Sequence, residues 1–270
     1  MADWLKQLTG SMEKRKDIIV LHGVEGSGKS SFAGQFPGAT FMMSENETGI
    51  VTLKNNGLVP DGVQWFPQFS EWSDVMDCTR QMIDSDNRPR TLVIDTGNGI
   101  ESLLHRHIAD TLYDGRFDKR GFMNYQEGYK SSIPVWREWL ALLDQLRHCN
   151  CTVIMLCHTA VTTFKNPEGP DYDRYVAEFH KETWGAVRKF ADMIVFLNFH
   201  DEVTNVDNQG RKGKAKGGRS RVYNFVRSSA FDAKHRHNLP AYMDGTGSPE
   251  GDFKQFCALL SQGKKQEASA

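Results

Sequence analysis

The chain has 270 residues, 39% of them hydrophobic and 25% charged. That excludes a mostly disordered polymer and fits one large domain or a domain with an appendage. Its 33 Lys and Arg nearly balance 34 Asp and Glu, for a net charge of −1, so a globally basic, histone-like protein is excluded while local basic patches are not. No apolar run nears the ~18 residues that span a bilayer, and residues 1–16 hold no apolar signal core. The five cysteines have no framework spacing and suit reduced thiols. A cytoplasmic location without membrane contact is expected.

Residues 1–16 are polar and read as an N-terminal extension. Residues 17–22 (DIIVLH) predict a short buried strand running into Gly23, and a helix from about Gly28 to Phe36 ends at Pro37-Gly38. Residues 39–43 form a second apolar run. Behind a Ser70 cap, Trp72, Val75, Met76, Met82 and Ile83 recur at helical spacing over 70–84. Residues 91–95 (TLVID) predict a third strand, and a helix follows over about 100–113. Residues 114–130 mix Gly, aromatic and basic residues like a surface excursion. The next helix, about 133–148, buries Trp136, Trp139, Leu140, Leu143 and Leu146.

A fourth strand spans 151–157, and the Pro- and Gly-bearing stretch 159–180 predicts a long loop. A helix near 183–190 leads to a fifth strand at 193–197. Residues 203–206 and 221–226 flank a glycine-rich basic stretch and read as a hairpin. Residues 249–261 predict a short helix before a frayed tail. Alternating helices and continuous apolar strands over 17–198 imply a parallel sheet covered on both faces. The expected layout is a core over 17–245, including an edge hairpin at 203–226, then a C-terminal helix and tail over 246–270.

The sharpest signal is Gly23-Val-Glu25-Gly26-Ser27-Gly28-Lys29-Ser30, a complete G-x-x-x-x-G-K-[ST] loop between a predicted strand and a predicted helix. Its glycines let backbone approach phosphate oxygens, and its N–H groups with the following helix turn supply positive potential. The cofactor-binding set is Gly23, Glu25, Gly26, Ser27, Gly28, Lys29, Ser30 and Ser31, with Lys29 reaching the β- and γ-phosphates and Ser30 binding Mg²⁺. Asp95 ends an apolar strand at the edge where such loops sit, placed to hold Mg²⁺; an N-cap acid is the alternative. Thr96 follows it, so an adjacent Asp-Glu pair is absent. Glu45, just beyond the second strand, is the candidate to orient the attacking water, and Glu47 is its competitor. His158, at the end of the fourth strand, is a candidate γ-phosphate contact or a satisfied structural histidine.

In order, GVEGSGKS, FMMSE, TLVID and VIMLCH resemble the phosphate loop, water-activating Glu, Mg²⁺ Asp and strand-four sensor of RecA-like P-loop ATPases. Among these the chain resembles the phage-encoded nucleotide-binding recombinases of single-strand annealing. The resemblance covers about residues 16–245. It implies an α/β RecA-like core, mostly parallel and flanked by helices with an antiparallel hairpin at one edge. The sensor is often Gln in that family, and here it is His158. The resemblance also implies that 114–130 and 161–181 match the two loops that bind single-stranded DNA. Ala233-Lys234-His235-Arg236 resembles the Lys-x-Arg element that some relatives insert into a neighbouring subunit's ATP site, a cation supplied in trans.

Single strands are held by basic grooves with aromatic faces. The candidates are Arg116, Phe117, Lys119, Arg120 and Phe122 in the first loop, and Lys165 and Arg174 in the second. The densest patch is residues 211–221, with six cations in eleven residues and Lys212, Lys214 and Lys216 at its centre. It reads as a flexible loop, either solvated or on the phosphate backbone. His148, Cys149, Cys151, Cys157 and His158 lack paired zinc-ligand spacing, so zinc is disfavoured.

With the phosphate loop, the resemblance implies an ATPase using ATP and Mg²⁺, dependent on single-stranded DNA, acting in phage recombination by annealing or strand pairing. It would form rings or filaments with MgATP between subunits, with a single-stranded-DNA-binding protein as a possible partner. A motor, helicase-loader or packaging ATPase, or a non-hydrolysing ATP-dependent switch, is the alternative.

Overall fold

The structure is a computed structural model, and it describes residues 15–45, 47–204 and 214–267. Four short apolar strands and the start of a long one form the parallel heart of the sheet: β1 (Ile18–Gly23), β2 (Ala39–Met43), β4 (Thr91–Asp95), β5 (Thr152–Cys157) and β8 (Met193–Thr204). With the two-residue β3 (Gln64–Trp65) and two antiparallel strands, β9 (Lys214–Asn224) and β10 (Tyr242–Asp244), they make one sheet. Its order is β10-β9-β8-β1-β5-β4-β2-β3. This is the mostly parallel α/β core with an antiparallel edge that the sequence implies, and β5 separates the glycine-loop strand β1 from the strand that ends in Asp95.

Helices cover both faces, as continuous apolar strands require. On one face, α3 (Trp72–Asp84), α4 (Gly97–Leu112), α5 (Glu127–His148) and α6 (Lys181–Phe190) bury Trp72, Trp136, Trp139 and Leu143 against Val20, Ile94 and Val153. Truncating an aromatic ring buried this deeply costs about 3–5 kcal/mol. On the other face, α1 (Lys29–Ala33), α2 (Gly49–Asn55) and α7 (Pro249–Glu267) pack over Leu21, Phe41 and Val195. Phe32 and Phe36 meet Phe253 and Phe256, ring centroids 4.7–6.5 Å apart, which fixes α7 on α1.

Several expectations change. The stretch 159–180 is not a loop. It forms a hairpin of β6 (Thr159–Phe164) and β7 (Tyr172–Ala177), because β-branched residues flank a Pro/Gly turn. The fifth strand and the first hairpin strand are one unbroken β8, paired with β9. The basic stretch from Lys214 onward is therefore strand, not flexible loop. The α5 helix begins at Glu127 and tolerates Pro134 in its interior. Among the described residues, no helix is long and apolar enough to cross a membrane.

Candidate nucleotide site

The strands β1, β2, β4 and β5 run parallel, so their carboxyl ends bring Gly23, Met43, Asp95 and Cys157 to one edge. Ligands of open parallel sheets bind in this crevice. Gly23 must be glycine for packing: a Cβ there would stand 2.1 Å from the Leu197 carbonyl oxygen on β8. Gly26 and Gly28 hold φ of 71° and 91°, the left-handed region that favours glycine. They turn the loop into the first residue of α1.

Within the loop, the Lys29 ammonium donates to the carbonyls of Gly23 (2.8 Å) and Val24 (3.1 Å). Burial lowers its pKa, opposed by the charge of Asp95. The Ser30 hydroxyl donates to Asp95 Oδ2 at 2.8 Å. Burial pushes the Asp95 carboxyl up to about 6, while the Ser30 hydrogen bond pulls the other way. The Asp95–Thr96 peptide is cis. Thr96, not Asp95, caps α4, its Oγ1 accepting from the Gly99 amide at 3.2 Å, so Asp95 is left to face Ser30.

Ser27 Oγ is buried without a hydrogen-bond partner, as is His158 Nδ1. Ser31 is buried and Glu25 is exposed. Glu25, Lys29, Ser30, Ser31, Asp95 and His158 line an open cleft of about 510 Å³ that reaches Thr52 and Leu58, a size suited to a small ligand. The chemistry fits a triphosphate and a hard divalent cation. Loop N–H groups and Lys29 would hold anionic oxygens, and a hydroxyl beside a carboxylate would give the oxygen donors Mg²⁺ takes.

Glu45, the acid expected to orient water, does not line the cleft. Ser44 is buried and bridges Phe69, and the chain then turns so that Glu45 pairs with Arg106 on α4 at 3.1 Å. Glu47 lines the cleft instead. It stands 3.6 Å from His158 Nε2 and holds that imidazole pKa above its ordinary value. His158 is therefore in the cleft, with its amide bonded to Asn98 Oδ1 at 3.2 Å.

Lys234 and Arg236 do not reach this chain's own loop. Lys234 pairs with Ile194, whereas Gly23 pairs with Leu197, three residues or roughly 10 Å further along β8. Lys234 Nζ donates to the Arg188 carbonyl, and Arg236 pairs with Asp192 at 3.2 Å while half exposed.

Two nucleic-acid candidates are corrected. Phe122 is fully buried among His105, Tyr113 and Tyr129, anchoring its excursion to the core, and offers no open face. Arg174 is buried and bonded to Asp232 at 2.6 Å, because β7 turns it inward toward the segment carrying Asp232. In the first excursion Arg116, Lys119 and Arg120 are exposed, with Phe117 42% and Tyr125 87% exposed. Lys165 is exposed at the hairpin tip, paired with Asp171 at 2.6 Å. Lys214 and Lys216 lie on β9, and Lys212 lies outside the described residues. The cleft residue that sequence reading missed is Arg221, hidden at the end of the basic stretch; its place two before the apolar Tyr223 on one strand face was the available signal.

No curated protein matches the chain. Two solved structures are similar in outline. The flagellar accessory protein FlaH from Methanocaldococcus jannaschii is 10% identical, with 90% of each chain covered and a TM-score of 0.43. The RadB recombinase is 13% identical, with 92% of this chain and 95% of that chain covered and a TM-score of 0.48. A family profile described as an AAA domain matches residues 15–237. With the glycine loop, the Ser30–Asp95 pair and the sheet order already in place, the chain belongs to the AAA domain family of P-loop ATPases.

Proposed function

We propose that the chain is an ATPase that binds MgATP at the Gly23–Ser30 loop and hydrolyses it in response to single-stranded DNA, in recombination of the phage annealing type. The observation that carries the reading is the Ser30–Asp95 hydrogen bond at the mouth of the glycine loop. It joins a hydroxyl and a carboxylate as one oxygen-donor pair. Mg²⁺ held there would draw negative charge from the phosphate oxygens. Lys29 would turn from the loop carbonyls to the phosphates. Glu47, beside His158 in the cleft, takes the water-orienting role.

The DNA side of the reading rests on the exposed faces of 114–126. Arg116, Lys119 and Arg120 alternate there with the exposed rings of Phe117 and Tyr125, the pairing of cations and stacking surfaces that single strands use. Lys234 and Arg236 lie too far from their own loop to act on it, which favours action on a neighbouring copy in a ring or filament. The test is the ATPase rate with and without single-stranded DNA at low salt. Stimulation supports the reading, and an active enzyme indifferent to DNA overturns its DNA part.

A further inference from the structure

A second side-chain cation rests against the phosphate loop. Arg221 lies on β9, which is two strands from β1 in the sheet. Its guanidinium packs onto Gly28: a Cβ built there would stand 2.8 Å from Arg221 Cζ and 2.9 Å from Nε and Nη2. Any larger residue at 28 would displace the arginine. Arg221 lines the same cleft as Lys29, Ser30 and Asp95.

The arginine is aimed there from behind. Asp252 on α7 is completely buried. It accepts from the Tyr223 hydroxyl (2.7 Å), the Thr246 amide (2.6 Å) and the Thr246 hydroxyl (2.8 Å). Arg221 Nη1 stands 3.7 Å from Asp252 Oδ2, inside ion-pair range but beyond a hydrogen bond. The carboxylate thus orients the guanidinium by charge while its lone pairs serve other donors. The backbone is pinned as well, since the Arg221 carbonyl accepts from the Gly245 amide at 2.7 Å. An arginine that merely neutralised Asp252 would bond it directly. This one is turned toward a loop that already holds Lys29, a convergence of two cations that an anion between them makes favourable.

We propose that Arg221 binds the polyphosphate of the nucleotide in the same chain, donating to oxygens on the Gly28 side of the loop, with Asp252 as its positioning residue. The inference rests on the MgATP reading above. It ties nucleotide occupancy to β9, which carries Lys214 and Lys216, and through Asp252 to α7.

The test titrates a fluorescent ATP analogue with Mg²⁺ into the full chain, as wild type, Lys29→Ala, Arg221→Gln and Arg221→Lys, with the thermal melt of each variant without nucleotide. Losing a charge-assisted contact predicts about ten- to a hundredfold weaker binding for Arg221→Gln. Arg221→Lys should recover part of that loss, because it keeps the charge that faces Asp252 but not the planar fork. If wild type binds, Lys29→Ala fails to bind, and a normally melting Arg221→Gln or Arg221→Lys binds as tightly as wild type, the inference is overturned and the nucleotide reading stands. If wild type itself does not bind, the nucleotide reading fails and takes this inference with it.

Discussion

The Ser30 hydroxyl donates to Asp95 Oδ2 across 2.8 Å, joining the start of α1 to the end of β4, residues 65 apart in sequence. The contact places the only carboxylate at the tip of the apolar run 91–95 beside the only serine of the loop that follows Lys29 directly. Under the proposed function it is the pair that would hold Mg²⁺, and its carboxylate is the source of the pH dependence predicted below.

Burial holds the folded Asp95 pKa near 6, above its ordinary 3.8. A folded pKa raised above the unfolded one means the native state binds the extra proton between those values. The carboxylate therefore subtracts stability as pH rises from about 4 to 6. Without nucleotide, Asp95→Asn should gain stability relative to wild type across that window, read from thermal melts at stepped pH. The same variant should lose Mg²⁺-dependent hydrolysis. In wild type, protonation of Asp95 should weaken MgATP binding as pH falls below 6.

Glu47 lines the cleft, whereas Glu45, two positions earlier, pairs with Arg106. Glu47→Gln should lower the ATPase rate by roughly 10²–10⁴-fold, the range for losing a general base, with nucleotide affinity retained. Glu45→Gln breaks a surface pair with Arg106 and should change the rate by less than about threefold. Equal losses in both variants, measured as kcat, would remove Glu47 from the mechanism.

The buried and exposed cations should separate in the same way. Arg174→Ala leaves buried Asp232 with the Trp184 Nε1 hydrogen bond at 3.2 Å and with Arg188 and Arg227 only at 3.6 and 3.9 Å, so urea unfolding should show a loss of about 3 kcal/mol. Its folded fraction should bind single-stranded DNA like wild type. The double change Lys119→Ala with Arg120→Ala should weaken DNA binding and flatten its salt dependence, with stability within about 0.5 kcal/mol of wild type.

Action in trans predicts complementation. Lys29→Ala and the double variant Lys234→Ala with Arg236→Ala should each be inactive alone. Mixed, they should recover part of the ATPase rate, since some interfaces then pair an intact loop with intact cations. No recovery at any mixing ratio, with assembly confirmed by sizing, would confine these residues to their contacts with Arg188 and Asp192.

The phosphate loop was legible in sequence because its chemistry is local. Eight consecutive residues specify the turn, the amides and the lysine. Asp95 was legible because strand ends are easy to read and the parallel sheet brings them to one edge. The place of Glu47, rather than Glu45, in the cleft was not, because the turn after β2 depends on Ser44 seating against Phe69, a contact between distant segments. Phe122 and Arg174 failed as DNA contacts for a related reason. A polar, Gly-rich context suggests surface, but one side chain in each segment is the anchor that holds the segment down. Arg221 was submerged in the charge of its neighbours, and only the pairing of β9 with β8 turns it toward Gly28.

Equilibrium binding of ATP to the purified chain, with Mg²⁺ and with the metal chelated, beside Lys29→Ala, tests the central claim most directly. The account predicts saturable one-site binding that is stronger with Mg²⁺ and lost in Lys29→Ala. Binding that is absent in wild type, or equally tight in Lys29→Ala, would contradict it.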